Sequence, residues 1–165
     1  MGNLPRVEGI ESLPGSASCY NYREAMKLVN QLCFPLYAAS RNVINLYSPY
    51  LKPLGLTYTQ YLVLLVLWEE DSLPVGEICQ RLMLDNGTLS PLLKKMEHAG
   101  LLLRSRQQAD ERVVLISLTD DGRALQEKAK DIPLKIGSSI PLSKEEAQIL
   151  YGLLYEILNR SPSDV

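Results

Sequence analysis

Residues 75–122 decide the fold, and they read VGEICQRLMLDNGTLSPLLKKMEHAGLLLRSRQQADERVVLISLTDDG. Apolar side chains recur at helical spacing over Val75–Leu82, and a second such pattern runs from about Thr88 to Ala99. The segment 85–87 between them is turn-forming, and Gly100 supplies the residue that commonly follows a helix end. The stretch therefore predicts two short helices joined by a tight turn.

A β-hairpin is predicted directly after these helices. Two β-prone runs, 101–106 and 112–118, flank a polar, turn-like segment at 107–111. Two short helices followed by a hairpin form a winged helix-turn-helix, whose second helix enters the major groove of DNA. We therefore expect a mainly α fold with a small β-hairpin wing.

Helical patterns also flank this stretch on its N-terminal side. Apolar residues at steps of three and four predict a long helix from about Asn21 to Leu51, which Pro35 should kink or restart. Thr57 and Gln60 have the spacing of a capping box, and the nearly all-apolar helix that follows, to about Glu69, belongs in the core. Residues 71–74 are predicted to form a turn.

Two further helices are predicted on the C-terminal side. One begins with Asp120 and Asp121, and Pro133 and Gly137 should disturb its far end. A second capping box at Ser143 precedes the last helix. Its apolar stripe consists of Ala147, Leu150, Leu154 and Ile157.

Composition narrows the class of protein. The 165 residues are 46% hydrophobic and 22% charged, which suits one packed domain. The longest apolar run, Tyr61–Trp68, is far too short to span a bilayer, and no secretory signal is visible, so we expect a cytoplasmic protein without membrane contact. With one histidine and three cysteines that form no CxxC pair, we expect no metal and no cofactor. The sequence contains no phosphate loop, metalloprotease motif or catalytic triad, so we do not expect an enzyme.

Candidate DNA-reading residues lie on the second short helix and on the hairpin. The net charge of −2 argues mildly against nucleic-acid binding, so the placement of basic and short polar residues matters more than the total. An arginine at the hairpin tip could enter the minor groove. The alternative for any single residue is an ordinary solvated side chain. The candidates are Asn86, Thr88, Ser90, Lys94, Lys95, Arg104, Asp110 and Arg112.

The segment 82–122 resembles the MarR family of bacterial regulators, through Asp110-Glu111-Arg112 and the following 118–122, LTDDG. The resemblance implies a homodimer whose first and last helices form the interface, bound to a pseudo-palindromic double-stranded operator. It divides most of the chain into an N-terminal helical dimerisation region (21–56), the winged DNA-binding region (57–122) and the C-terminal helices of the dimerisation region (123–165). The glycines, prolines and serines of residues 1–20 independently predict a mobile arm.

The first helix narrows the resemblance to one subfamily. Residues 32–41, LCFPLYAASR, and 54–69, LGLTYTQYLVLLVLWE, are similar to the cysteine signature of the organic hydroperoxide resistance regulators. Three tyrosines, Tyr37, Tyr47 and Tyr58, follow Cys33 at the subfamily's offsets of 4, 14 and 25 residues. The resemblance implies that Cys33 senses organic hydroperoxides, the inducer, and that Tyr47 and Tyr58 reach it across the dimer interface.

The chemistry of thiols supports this assignment independently. Peroxides are attacked by the thiolate, and phenolic O–H donors aimed at the sulfur favour the charged form. Phe34, Leu36 and Tyr61 would add an apolar lining that prefers organic hydroperoxides to hydrated H₂O₂. Pro35 departs from the subfamily, and a helix that restarts there would place its N-terminal partial charge near Cys33. The alternative for Cys33 is a small apolar residue packed at the interface.

The remaining cysteines indicate how the oxidised thiol is resolved. Cys79 lies on an inward helical stripe, Cys19 lies in the arm, and residues 122–141 contain no cysteine. We therefore expect the one-cysteine route, in which a small cellular thiol forms the mixed disulfide.

Two alternatives remain open on the sequence alone. One keeps the fold and replaces the oxidant with a small aromatic ligand bound among the tyrosines. The other is a thiol peroxidase, which the missing thioredoxin-like βαβ pattern disfavours.

Overall fold

The computed structural model describes Arg23 and residues 26–107 and 112–159. The chain falls into two compact units, 1–45 and 46–165. The predicted arm at 1–20, with Cys19, lies outside the described residues, as does Asp110. The four predicted regions stay predictions.

The first helix begins later than expected. A 3₁₀ turn covers Leu28–Asn30, and helix α1 spans Cys33–Leu51. The prediction of one helix from about Asn21 is wrong over 26–32, because a proline ring clashes with the carbonyl four residues earlier, here that of Gln31. Gln31 is accordingly extended, with φ −95° and ψ 107°. The predicted restart is confirmed, and Pro35 occupies the first turn, where its missing N–H costs no intrahelical bond.

Helix α2, Tyr58–Glu69, forms where the capping box predicted it. The backbone N–H of Gln60 donates to the Thr57 hydroxyl, and the Thr57 N–H donates to the Gln60 side chain. Gly55, at φ 70°, ends the short 3₁₀ turn Lys52–Leu54 that leads into α2. The helix buries side chains on most of its circumference, as expected for a core helix.

The winged helix-turn-helix is confirmed. Helix α3 spans Val75–Leu82, helix α4 spans Asn86–His98, and the wing strands β2 and β3 span Leu102–Arg106 and Val114–Leu118. The predicted turn at 71–74 is wrong in part, because Leu73–Pro74 form a two-residue strand, β1, that pairs antiparallel with β3. The sheet order is β1-β3-β2.

Helix α4 begins two residues before the predicted start because Asp85 caps it. The Asp85 carboxylate accepts the backbone N–H of Thr88 at 2.8 Å, so the first turn includes Asn86 and Gly87. Gly100 follows the helix at φ 74°, the left-handed conformation expected of a terminating glycine.

Three helices complete the chain: α5 (Asp120–Ala129), α6 (Ile132–Ser139) and α7 (Lys144–Asn159). Pro133 lies in the first turn of α6 rather than merely disturbing α5, since proline is well tolerated there. The Ser143 capping box is confirmed by its reciprocal bonds with Glu146. No described helix is long and apolar enough to cross a membrane.

The core of the second unit fixes the DNA-reading elements. Side chains from α2, α3, α4, β2 and β3 are buried together, so the second short helix and the wing share one hydrophobic support. Its fully buried members include Leu64, Ile78, Leu89, Leu93, Met96, Leu102 and Ile116.

Candidate DNA-binding and redox sites

Helix α4 has the two faces that a recognition helix needs. Leu89, Leu93 and Met96 are completely buried, while Lys94 and Lys95 are exposed on the opposite side. The buried face fixes the helix against the core, and the lysines remain available for phosphate oxygens.

The short polar residues at the start of α4 are bonded to one another. The Thr88 hydroxyl donates to the Asp85 carboxylate at 2.7 Å, and the Ser90 hydroxyl donates to the Asn86 carbonyl oxygen at 2.8 Å. The bonds from Thr88 lower the pKa of Asp85 below its ordinary value. The Thr88 hydroxyl is therefore used in the helix cap. The side-chain oxygen of Asn86 accepts from Ser90, so only its amide N–H groups are available to hydrogen-bond acceptors.

On the wing, Arg104 of β2 faces the recognition helix. Its guanidinium lies 3.8 Å from the Glu97 carboxylate of α4, and its Nε is buried without a hydrogen-bond partner among the described residues. This geometry favours a role in tying the wing to α4. Arg112 is exposed near the hairpin tip, where the sequence placed it.

Cys33 is the first residue of α1, and its side chain is exposed. Tyr37 lies one helical turn later, and Arg41 another turn on. The Arg41 guanidinium donates to the Tyr37 hydroxyl at 3.4 Å and lies 5.6 Å from the centre of the Tyr37 ring. The first turns of α1 thus carry a thiol at the helix N-terminus, followed by a phenol and a cation that contact each other.

Tyr47 and Tyr58 belong to an aromatic cluster in the second unit. Their ring centres are 4.8 Å apart, and the ring of Tyr61 lies 5.9 Å from that of Tyr47. Burial raises the pKa of all three phenols, and their mutual proximity raises the pKa of Tyr58 and Tyr61 further. The three hydroxyls therefore stay protonated, and they remain hydrogen-bond donors at neutral pH.

Sequence reasoning missed two members of these groups. It placed Tyr61 only as an apolar lining residue, although its ring packs against Tyr47. It quoted Arg41 in the cysteine signature without a role, although the spacing of four from Tyr37 on one helix indicated contact. Cys79 is half-buried against the core, as its inward position predicted. The described residues contain no cluster of metal-ligating side chains.

Comparison with known proteins gives matches along most of the chain. A family model described as the transcriptional regulator SarA/Rot matches residues 45–129. An organic hydroperoxide resistance transcriptional regulator of Bacillus subtilis is 51% identical over 141 residues, covering 84% of this chain and 94% of that protein.

Solved structures give the same picture. Reduced AbfR bound to DNA matches with a TM-score of 0.70 and 41% identity, covering 85% of this chain and 97% of its own. AbfR, a Staphylococcus epidermidis protein, also matches in its disulfide form, with a TM-score of 0.58 and 40% identity over 84% of this chain and 97% of its own. A mutant E. coli MarR complexed with operator DNA shares the fold at 24% identity and a TM-score of 0.71, covering 77% of this chain and 93% of its own.

The winged architecture and these matches define the class. The chain belongs to the SarA/Rot family of transcriptional regulators and has the MarR-type winged-helix fold. Within that class, the high identity to the Bacillus subtilis protein confirms the resemblance to the organic hydroperoxide resistance regulators.

Proposed function

We propose that this protein is a cytoplasmic, dimeric, redox-sensing repressor that binds a pseudo-palindromic operator while Cys33 is reduced and releases it when organic hydroperoxides oxidise Cys33. The observation that carries this proposal is the placement of Cys33. An exposed thiol at the first position of a nineteen-residue helix, one turn from a phenol, is accessible to peroxide.

The tyrosine cluster supplies donors for the same sulfur in the proposed dimer. Tyr47 and Tyr58 stay protonated because burial raises their pKa, so each offers an O–H that a thiolate can accept. Their hydroxyls make no hydrogen bond to any described residue of 46–159. If the partner subunit supplies these donors, oxidation of the sulfur would change hydrogen bonds that cross the dimer interface.

The proposed oxidation is a two-electron step. The Cys33 thiolate attacks the oxygen of the hydroperoxide that carries hydrogen, the O–O bond breaks, and the sulfur becomes a sulfenic acid while the alkoxide leaves and takes a proton to become an alcohol. A small cellular thiol then displaces water from the sulfenic acid and leaves a mixed disulfide on Cys33. Cys79, the other cysteine of the described ranges, is half-buried in the core and is poorly placed to compete.

Exposed apolar surface supports the homodimer. Helix α7 has no buried residue, and Ile149, Tyr151 and Leu153 are each more than half exposed in the single chain. Leu28, Val29 and Leu32 before α1 are exposed to a similar degree. Exposed apolar side chains of this kind on an isolated chain indicate interfaces, and a second copy would cover them.

For DNA, the proposal assigns Lys94, Lys95 and Arg112 to phosphate or groove contacts and Asn86 and Ser90 to the first turn of the recognition helix. Thr88 and Arg104 would act mainly by holding α4 and the wing in place. Asp110, which lies outside the described residues, is proposed as a further DNA-binding residue.

The test is a gel shift with a duplex selected from a randomised pool by the reduced protein. Wild type should bind this duplex and release it on addition of cumene hydroperoxide, whereas Cys33→Ser should bind and not release. Cys79→Ser is the matched control, and it should behave as wild type.

Two results would overturn the proposal. Undiminished peroxide release by Cys33→Ser would remove Cys33 as the sensor. Release by salicylate, with no release by hydroperoxide, would support the aromatic-ligand alternative instead.

A further inference from the structure

A continuous series of contacts leads from the tyrosine cluster to the end of the recognition helix. The ring of Tyr61, which packs on Tyr47, meets the indole of Trp68 edge-on with ring centres 6.1 Å apart. The Trp68 indole N–H donates to the backbone carbonyl of Gly122 at 3.0 Å. Both contacts lie within the second unit, and Tyr61 is almost completely buried.

Gly122 is itself joined tightly to the end of α4. Its N–H donates to the Thr119 hydroxyl at 3.0 Å, and that hydroxyl donates to the Gly100 carbonyl at 2.6 Å. The Thr119 N–H donates to the Leu101 carbonyl at 3.1 Å. A Cβ on Gly122 would lie 2.2 Å from the Leu101 oxygen, so the first turn of α5 approaches the end of α4 as closely as backbone permits.

We propose that Trp68 couples the tyrosine cluster to the recognition helix. A displacement of Tyr61 would be transmitted through the Trp68–Gly122 hydrogen bond to the contact between the first turn of α5 and the residues that end α4. This inference rests on the proposed function and adds to it the internal route of the signal. Trp68 is a positioning residue here, since it acts through Gly122 and is not assigned a contact with either the sulfur or DNA.

The physical reason is the stiffness of each link. Packed aromatic rings and hydrogen-bonded backbone deform little, so a shift at one end must move the next group or break the contact. A second contact at the C-terminal end of α2, the ion pair of Glu70, lacks this stiffness. Glu70 pairs with Arg81 of α3, and this solvent-exposed ion pair does not reach α5.

The test compares Trp68→Phe with Glu70→Ala as the matched control. Phenylalanine keeps an aromatic ring beside Tyr61 and removes the N–H donor. The measured quantity is the release ratio, the dissociation constant of the peroxide-treated protein for the selected duplex divided by that of the reduced protein. Coupling residues typically change such ratios by about 2- to 30-fold, and we expect a decrease in this range for Trp68→Phe. Glu70→Ala should retain the wild-type ratio.

A second measurement uses the wild-type chain and needs no variant. Trp68 is the single tryptophan of the chain, so the ¹⁵N-labelled protein gives one indole N–H resonance. That resonance should shift when Cys33 is oxidised by cumene hydroperoxide. An unmoved resonance would overturn the inference, and so would a wild-type release ratio in Trp68→Phe or an equal loss in Glu70→Ala. If wild type itself is not released by peroxide, the proposed function fails instead, which separates the two outcomes.

Discussion

Replacing Tyr58 with phenylalanine should slow the oxidation of Cys33 without unfolding the protein. The ring of Tyr58 packs 4.8 Å from that of Tyr47, and phenylalanine retains this contact, worth about 0.5–1.5 kcal/mol for an aromatic pair. The Tyr58 hydroxyl donates to no described residue of 46–159, so its removal leaves no buried partner unsatisfied there. We therefore expect little change in the free energy of unfolding.

The effect on oxidation follows from the lost hydrogen bond to sulfur. A bond to a charged acceptor contributes about 1.5–3 kcal/mol, which corresponds to roughly 10- to 150-fold in the equilibrium between thiolate and thiol. A more strongly stabilised thiolate is also a weaker nucleophile, with a Brønsted coefficient of about 0.4–0.5, so about half of this effect in logarithmic terms survives in the rate. Oxidation at neutral pH should become roughly 4- to 15-fold slower.

The assay is quenched-flow oxidation of the reduced protein by cumene hydroperoxide. Samples are quenched at set times, and the oxidised fraction of the chains is measured by intact mass. Tyr50→Phe is the control, because Tyr50 is a half-buried tyrosine of α1 whose ring lies 5.5 Å from the Lys135 ammonium. An unchanged rate in Tyr58→Phe, or an equal decrease in Tyr50→Phe, would refute the assignment of Tyr58 as a donor to the sulfur.

Three further predictions concern the DNA-binding region. The pKa of Asp85 is lowered in the folded state, so its cap stabilises α4 above the ordinary value of 3.8 and loses this contribution as pH falls through the folded value. Asp85→Asn, which keeps a capping oxygen, should abolish this acid-induced loss of amide-exchange protection in α4. Gly122→Ala should lower the free energy of unfolding by at least about 1–3 kcal/mol in denaturant titrations, because its Cβ would overlap the Leu101 oxygen. Lys94→Ala should reduce the salt slope of operator binding by about 1, and an unchanged slope would exclude a phosphate contact.

Local signals in the sequence predicted most of the element boundaries. The capping boxes at Thr57 and Ser143 and the terminating Gly100 each depend on bonds within a few residues, and each forms as predicted. The absence of α-helix over 26–32 was missed because the periodicity of apolar residues continues through the segment before Pro35. Strand β1 was missed because two residues carry no alternation, and only pairing with β3 makes them a strand.

The candidate sites were predictable as residue types and less so as contacts. Offsets from Cys33 found Tyr47 and Tyr58, but the contact of Tyr61 with Tyr47 depends on how α1 and α2 pack. Likewise, Arg104 looks like a DNA contact from its position in the wing, and only the three-dimensional structure pairs it with Glu97. Tertiary contacts between distant segments leave no periodic signal in a single sequence.

The most direct measurement follows DNA release and the mass of the protein in the same sample. Fluorescence anisotropy of a labelled operator duplex reports binding while cumene hydroperoxide is added in substoichiometric steps with glutathione present. Release should rise in proportion to the fraction of chains whose Cys33 carries the glutathione adduct. Release that precedes any modification of Cys33, or full modification with the duplex still bound, would contradict the account.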